Sequence, residues 1–157
     1  MTLLVETPSF TFRLERVRTL RERAEERAKE DLANELRLRV RAEAILREAT
    51  HAVSQSRTVG RNSVTADRTS AVSLMAAQAH LERAERIRRE AALDLHRQDA
   101  EVDARRSALA DAARDRQAIE KLKDRQQEDH DREWARRNQN ALDELALGIH
   151  RRGGVAA

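Results

Sequence analysis

From Leu74 onward, apolar residues return at alternating steps of three and four. The seam reads Leu74, Ala77, Leu81, Ala84, Arg88, Ala91, Leu95, Gln98, Val102, Arg105, Leu109, Ala112, Arg116, Ile119. Ten of these 14 positions are apolar, enough to predict a heptad stripe that needs another helix against it. The first third of the chain is less regular. Val17, Leu20, Ala24, Ala28, Leu32, Leu36 and Val40 keep mostly to steps of four. Such steps drift around a helix, which predicts a stutter or a straighter coil there. The polar faces carry Glu-to-base pairs at i,i+4: Glu25/Lys29, Glu35/Arg39, Glu43/Arg47, Glu82/Arg86, Glu85/Arg89, Glu101/Arg105, Glu128/Arg132 and Glu133/Arg137. Each contributes only ~0.2–0.5 kcal/mol, but together they favour long helices.

Helix breakers set the divisions. Pro8 is the only proline, and the glycines are Gly60, Gly148, Gly153 and Gly154. Thr7 with Pro8 reads as an N-cap and first helical position. The Ser/Thr/Asn/Gly-dense stretch from Ser54 to Ser70 reads as a loop, with Thr65 or Asp67 as the next cap. Gly153-Gly154 is a stop. The expected organisation is a flexible start (1–9), one domain (10–152) and a flexible tail (153–157). Within the domain a helix over about 10–53 and a second over about 70–151 flank a loop at about 54–69. Two helices joined by one loop predict an all-α fold, a long antiparallel two-helix coiled-coil hairpin with an overhanging C-terminal helix. The arms would measure roughly 70 Å and roughly 120 Å. Pairing from the loop outward sets Phe10 opposite roughly Ala113 and leaves the last ~35 residues past the partner helix.

Composition removes the alternatives of an ordinary globular core. Charged residues make up 38% and aromatics 2%, namely Phe10, Phe12 and Trp134, so large interior side chains are scarce. There is no Cys, which excludes disulfides and thiolate metal sites. The start, Met1 to Glu6, lacks a basic segment and a long apolar run, so neither a signal peptide nor a membrane anchor is expected. No phosphate-binding glycine loop, Gly-x-Ser-x-Gly or Cys nucleophile is present. His51, His80, His96, His130 and His150 never stand three or four apart, and the consecutive Asp129-His130-Asp131 cannot converge on one ion from a helix. The expectation is a non-enzyme with no cofactor and no metal.

Arginine abundance raises nucleic-acid binding, and the charge pattern argues against it. Residues 13–48 hold 11 bases and nine acids, 82–106 seven of each, and 114–137 eight and seven. A nucleic-acid binder needs an uncompensated basic stripe. Uncompensated bases occur only in the expected loop, with Arg57 and Arg61, and the tail, with Arg151 and Arg152. Arg68 adds to the loop against the single acid Asp67. The remaining feature is apolar residues where a hairpin should be wet: Phe10, Phe12, Leu14, Val17 and Leu20 at one end, and Trp134, Leu142, Leu145 and Ile149 near the other terminus. Packing of the two ends on each other, or on a folded-back third segment, is one account; a partner-binding surface is the other.

Three segments carry a resemblance. Phe12-Arg-Leu-Glu-Arg-Val-Arg-Thr-Leu-Arg21, Ala112-Ala-Arg-Asp-Arg-Gln-Ala-Ile-Glu-Lys-Leu-Lys-Asp-Arg125, and Ala141-Leu-Asp-Glu-Leu-Ala146 with His150-Arg-Arg152 resemble the FliJ family, over about Phe10 to Arg152. Gly148 departs from the uninterrupted helix expected of that family. The resemblance implies a central-stalk component of the bacterial flagellar type III export apparatus, similar to the stalk of rotary ATPases. It implies binding to the hexameric export ATPase, promotion of its assembly and activity, and links to the cytoplasmic domain of the export gate and to export chaperones. It implies a cytoplasmic protein, peripherally associated with the inner membrane at the flagellar base. The single loop signal between two unbroken helical stretches predicts that the isolated hairpin is a monomer. Unequal arms suit a stalk that needs one helix reaching deeper into a ring. On this reading Phe12, Leu14, Val17, Leu20, Arg21, Trp134, Leu142, Asp143, Glu144, Leu145, Ile149, Arg151 and Arg152 would meet the ring. Arg57, Arg61 and Arg68 would meet the gate or a chaperone through an acidic surface. A generic coiled-coil scaffold is the alternative, followed by a basic nucleic-acid-binding protein.

Overall fold

The computed structural model describes residues 8–65 and 70–153, with side chains through Arg151. The described residues form an all-α hairpin of two helices without strands. Helix α1 spans Glu15–Thr65 and α2 spans Ala71–Gly153. Chain contacts divide into two units. Unit 1 is Met1–Arg23 with Ala113–Ala157, and unit 2 is Ala24–Ala112. The expected flexible stretches lie largely outside the described residues.

Both ends of α1 differ from expectation. The helix begins at Glu15 rather than at Pro8, and residues 8–14 lead in without helical structure. The first turn is closed by the Glu15 N–H donating to the Phe12 carbonyl at 3.3 Å. Glu15 then places a negative charge at the helix start, where the backbone dipole favours it. At the other end α1 continues through Gly60 to Thr65, across most of the stretch expected to be loop. Hydroxyls that favour loops when free are satisfied inside the helix: Thr58 donates to the Ser54 carbonyl at 3.1 Å and Ser63 to the Val59 carbonyl at 2.9 Å. The cap of α2 is Ser70, not Thr65. The Ser73 N–H donates to the Ser70 hydroxyl at 3.1 Å, and the Leu74 N–H to the Ser70 carbonyl at 3.2 Å. Asp67 lies outside the described residues.

In unit 2 the two helical segments pair antiparallel. Arg57 bonds Glu85 at 2.9 Å, Arg39 bonds Asp99 at 2.6 Å, and Arg105 lies 3.9 Å from Asp31. The α2 seam is the predicted one. Eleven of its 14 positions, counted over both units, are buried or half-buried; Leu74, Arg88 and Arg105 are exposed. The α1 seam is a different set of residues. It runs Glu25, Ala28, Leu32, Glu35, Arg39, Ala42, Leu46, Ala49, Val53, Ser56, Gly60, Ser63, a strict alternation of three and four. Only Ala28 and Leu32 belong to the predicted row; Leu36 and Val40 are exposed. The core is thin and built of small residues, with Ala49, Val53, Ala84, Ala91 and Val102 buried, and Glu25 is buried as well.

In unit 1 the start of α1 pairs antiparallel with α2. Arg21 bonds Asp115 at 2.8 Å and Arg18 bonds Glu120 at 3.1 Å. Phe10 stacks obliquely on His130, ring centroids 5.7 Å apart. Phe10 therefore lies opposite His130 and not Ala113. Helix α1 runs on to Thr65 instead of ending near Val53, while α2 starts at Ala71, close to its expected start, so each residue of α1 faces a position further along α2 than expected. Among the described residues of this unit only Phe12 is buried, at 5% exposure.

Candidate functional site

The expected contact residues divide into an anchored group and a free group. The anchored group is a charge network at the start of α1. Arg18 bonds Glu15 and Glu22, both at 2.6 Å, and reaches Glu120 of α2. Lys123 approaches Glu15 at 3.7 Å. The hydrogen bond from Arg18 holds the Glu15 carboxyl below its ordinary pKa, with the nearby Lys123 charge adding to it. The same network raises the pKa of Arg18. Arg21 is held by Asp115, and Phe12 is turned inside. Phe12 therefore packs within its own unit instead of presenting itself outward. Leu14, Val17 and Leu20 remain exposed beside the network, Leu20 most of all.

The free group lies on α2 beyond His130. Leu142, Leu145 and Ile149 are 53%, 61% and 68% exposed, high values for large apolar side chains. Leu147 is exposed too, and Trp134 is half-buried. The ion pairs and side-chain hydrogen bonds seen on this arm are internal to the helix. Arg137 bonds Glu133 at 3.2 Å, and Gln139 donates to Asp143 at 3.0 Å. Glu144 and Arg151 are exposed; the Arg152 side chain lies outside the described residues. Gly148 interrupts nothing, since α2 continues past it.

The turn end of unit 2 forms a second surface. Seam positions there are filled by Ser56, Gly60 and Ser63, which are too small to close the gap between the helices. A groove of about 930 Å³ results, with Gly60, Val64, Leu74, Met75 and Leu81 in its lining and Arg61 at its edge. A Cβ on Gly60 would meet nothing within 4 Å. Val64 and Met75 in its lining stand exposed, an apolar surface that the loop reading of this stretch concealed. Arg57, expected to be free, is bonded to Glu85, and Arg68 lies outside the described residues. Arg61 is the exposed base that remains.

Chemistry beyond binding finds no arrangement among the described residues. No group of three His, Cys, Asp or Glu side chains could hold a metal ion, and no helix is long and apolar enough to cross a membrane. Two helices that share a single seam present ridges and grooves, which suit docking onto other helices. No curated protein sequence and no solved structure matched the chain. The model of one family, described as the flagellar FliJ protein, matches residues 10–154 of the 157. Nearly the whole chain is covered, both helices included, and the chain belongs to the FliJ family of flagellar proteins.

Proposed function

We propose that this protein is the non-enzymatic central stalk of the flagellar type III export ATPase. Family membership gives a role in flagellar protein export. The observation that carries the finer reading is the exposed row Leu142, Leu145 and Ile149 on α2 beyond the contact of Phe10 with His130. Such a row on a highly charged chain needs a partner. In this reading the row, with Trp134 and the charges of Asp143, Glu144, Arg151 and Arg152, enters the ATPase ring. Leu14, Val17 and Leu20 form its inner rim, and Phe12 and Arg21 brace that rim from behind. A single asymmetric stalk makes the six ring subunits inequivalent. Binding one subunit state better than another shifts its population, which promotes assembly and stimulates hydrolysis while the chemistry stays in the ring. The turn end, with Arg61 beside its apolar groove, faces the export gate or a chaperone through an acidic surface of that partner. The protein works in the cytoplasm, against the inner membrane at the flagellar base.

Truncation after Arg132 tests the first half. The pairings of Arg18 and Arg21 with α2 should survive, and the far-ultraviolet signal per residue should stay helical. ATPase stimulation should be lost. A truncated protein that stimulates the cognate ATPase as well as the full chain would assign ring binding elsewhere. For the turn end, Arg61→Glu should weaken binding to the gate's cytoplasmic domain without loss of helicity. Equal affinity for the two proteins would detach the gate from this surface.

A further inference from the structure

The arm of α2 beyond His130 carries a second heptad seam that no other described segment of the chain fills. Trp134, Asn138, Ala141, Leu145 and Gly148 follow one another at steps of four and three, the spacing of a coiled-coil stripe. Leu142 and Ile149 each stand one residue after a seam position and widen the stripe along one edge. Arg137 and Glu144 each stand one residue before a seam position and form the other edge. The stripe is therefore apolar along one border and charged along the other, with opposite signs one heptad apart.

We infer that this arm pairs antiparallel with the same arm of a second copy of the chain. The charges select both the occupant and the direction. In an antiparallel helix pair, residues preceding the seam positions meet residues of the same kind on the other helix. Arg137 of one copy then meets Glu144 of the second, and Glu144 meets Arg137, giving two ion pairs by symmetry. In a parallel pair the charged border would face the border of Leu142 and Ile149, and neither charge would find a partner. Glu144 makes no ion pair among the described residues, and Arg137 makes only an exposed one to Glu133 on its own helix, so both can reach outward. The antiparallel register brings Trp134 level with Leu145 of the second copy and Asn138 level with Ala141. Gly148 lets the backbones approach at the ends of the stripe. Ile149 of the second copy comes level with His130, where the Phe10 ring closes the seam.

An interface of about five helical turns with a polar Asn138 inside it falls at the small end of specific contacts. The pairing is consequently weak and reversible, and dilute protein is monomeric. The stripe shares Trp134, Leu142, Glu144, Leu145 and Ile149 with the surface proposed to enter the ring, so the two occupants exclude each other, and self-pairing is tested with no ATPase present.

Sedimentation equilibrium of the full chain, from micromolar to millimolar concentration, is the measurement. A monomer–dimer equilibrium is expected, abolished by Leu145→Glu. Arg137→Glu and Glu144→Arg should each weaken the dimer about tenfold, since each breaks two exposed pairs and adds repulsion. The double variant Arg137→Glu/Glu144→Arg should recover most of the affinity. Far-ultraviolet circular dichroism checks that each variant stays helical. A chain that remains monomeric throughout the range overturns the proposal. So does a dimer indifferent to Leu145→Glu, or one in which the double variant is no tighter than the single ones.

Discussion

Gln98 occupies a seam position of α2 with its side-chain oxygen buried and without a hydrogen-bond partner. An acceptor withdrawn from water and left unpaired costs on the order of 1–3 kcal/mol. Leucine at that position would fill the neighbouring groove between Leu38, Ala42 and Ala91 and remove the unpaired oxygen. Gln98→Leu should therefore raise the thermal midpoint of the chain by several degrees, read by circular dichroism. An unchanged or lowered midpoint would mean that the oxygen finds water. Gln98 was placed correctly by its spacing, because its neighbours in the row are apolar. Glu25, Glu35 and Arg39 were not, because an apolar template passes over polar seam residues. Glu25 stays buried in the seam, whereas Arg39 leaves it for the other helix. Glu25 reaches Lys29 at 3.1 Å and Arg39 reaches across to Asp99. The same pull explains why only some i,i+4 pairs form: Glu25/Lys29, Glu128/Arg132 and Glu133/Arg137 do. Arg105, one turn from Glu101, turns toward Asp31 on the other helix.

The second helix was legible nearly residue by residue, and the first was legible only as a helix. Residues 54–65 mark the physical limit. Ser, Thr, Asn and Gly disfavour a helix when the chain is alone, yet packing against α2 supplies what local propensity lacks. Gly60 is the point at which the two influences can be weighed. It lies in mid-helix with ordinary backbone angles and open space beside it. Alanine there loses less conformational freedom on folding and meets no obstruction, so Gly60→Ala should stabilise the chain by about 0.5–1 kcal/mol in chemical denaturation. Had the stretch been a turn that relies on glycine's freedom, the same substitution would destabilise it, and that result would contradict the helix.

For the whole chain, charge explains more than core volume. Its 31 bases and 28 acids interleave, so attraction between neighbouring and facing side chains is spread along both helices. Interleaving of this kind differs from the uncompensated basic stripe by which a polyanion is bound. The family was legible because its marks lie in three segments spread over both helices. The candidate surfaces were legible in part. The row from Leu142 to Ile149 declared itself by apolar residues at helical spacing in a region with no predicted partner. The groove beside Gly60 did not, since it exists only where α1 continues past the expected loop.

The small seam residues near the turn carry a consequence in time. One helix label covers Ala49 and Ser63 alike, yet the first is buried and a groove adjoins the second. Opening of backbone amides follows local packing, not secondary-structure type. Native-state hydrogen exchange should thus find α1 graded, with amides of residues 42–53 protected far longer than those of 56–65, which should exchange through frequent local fraying. Uniform protection along the helix would show that it opens only as one cooperative body. A graded helix could remain ordered at one end while the turn end reshapes to its partner, so the groove's shape at rest would not by itself define what it can hold.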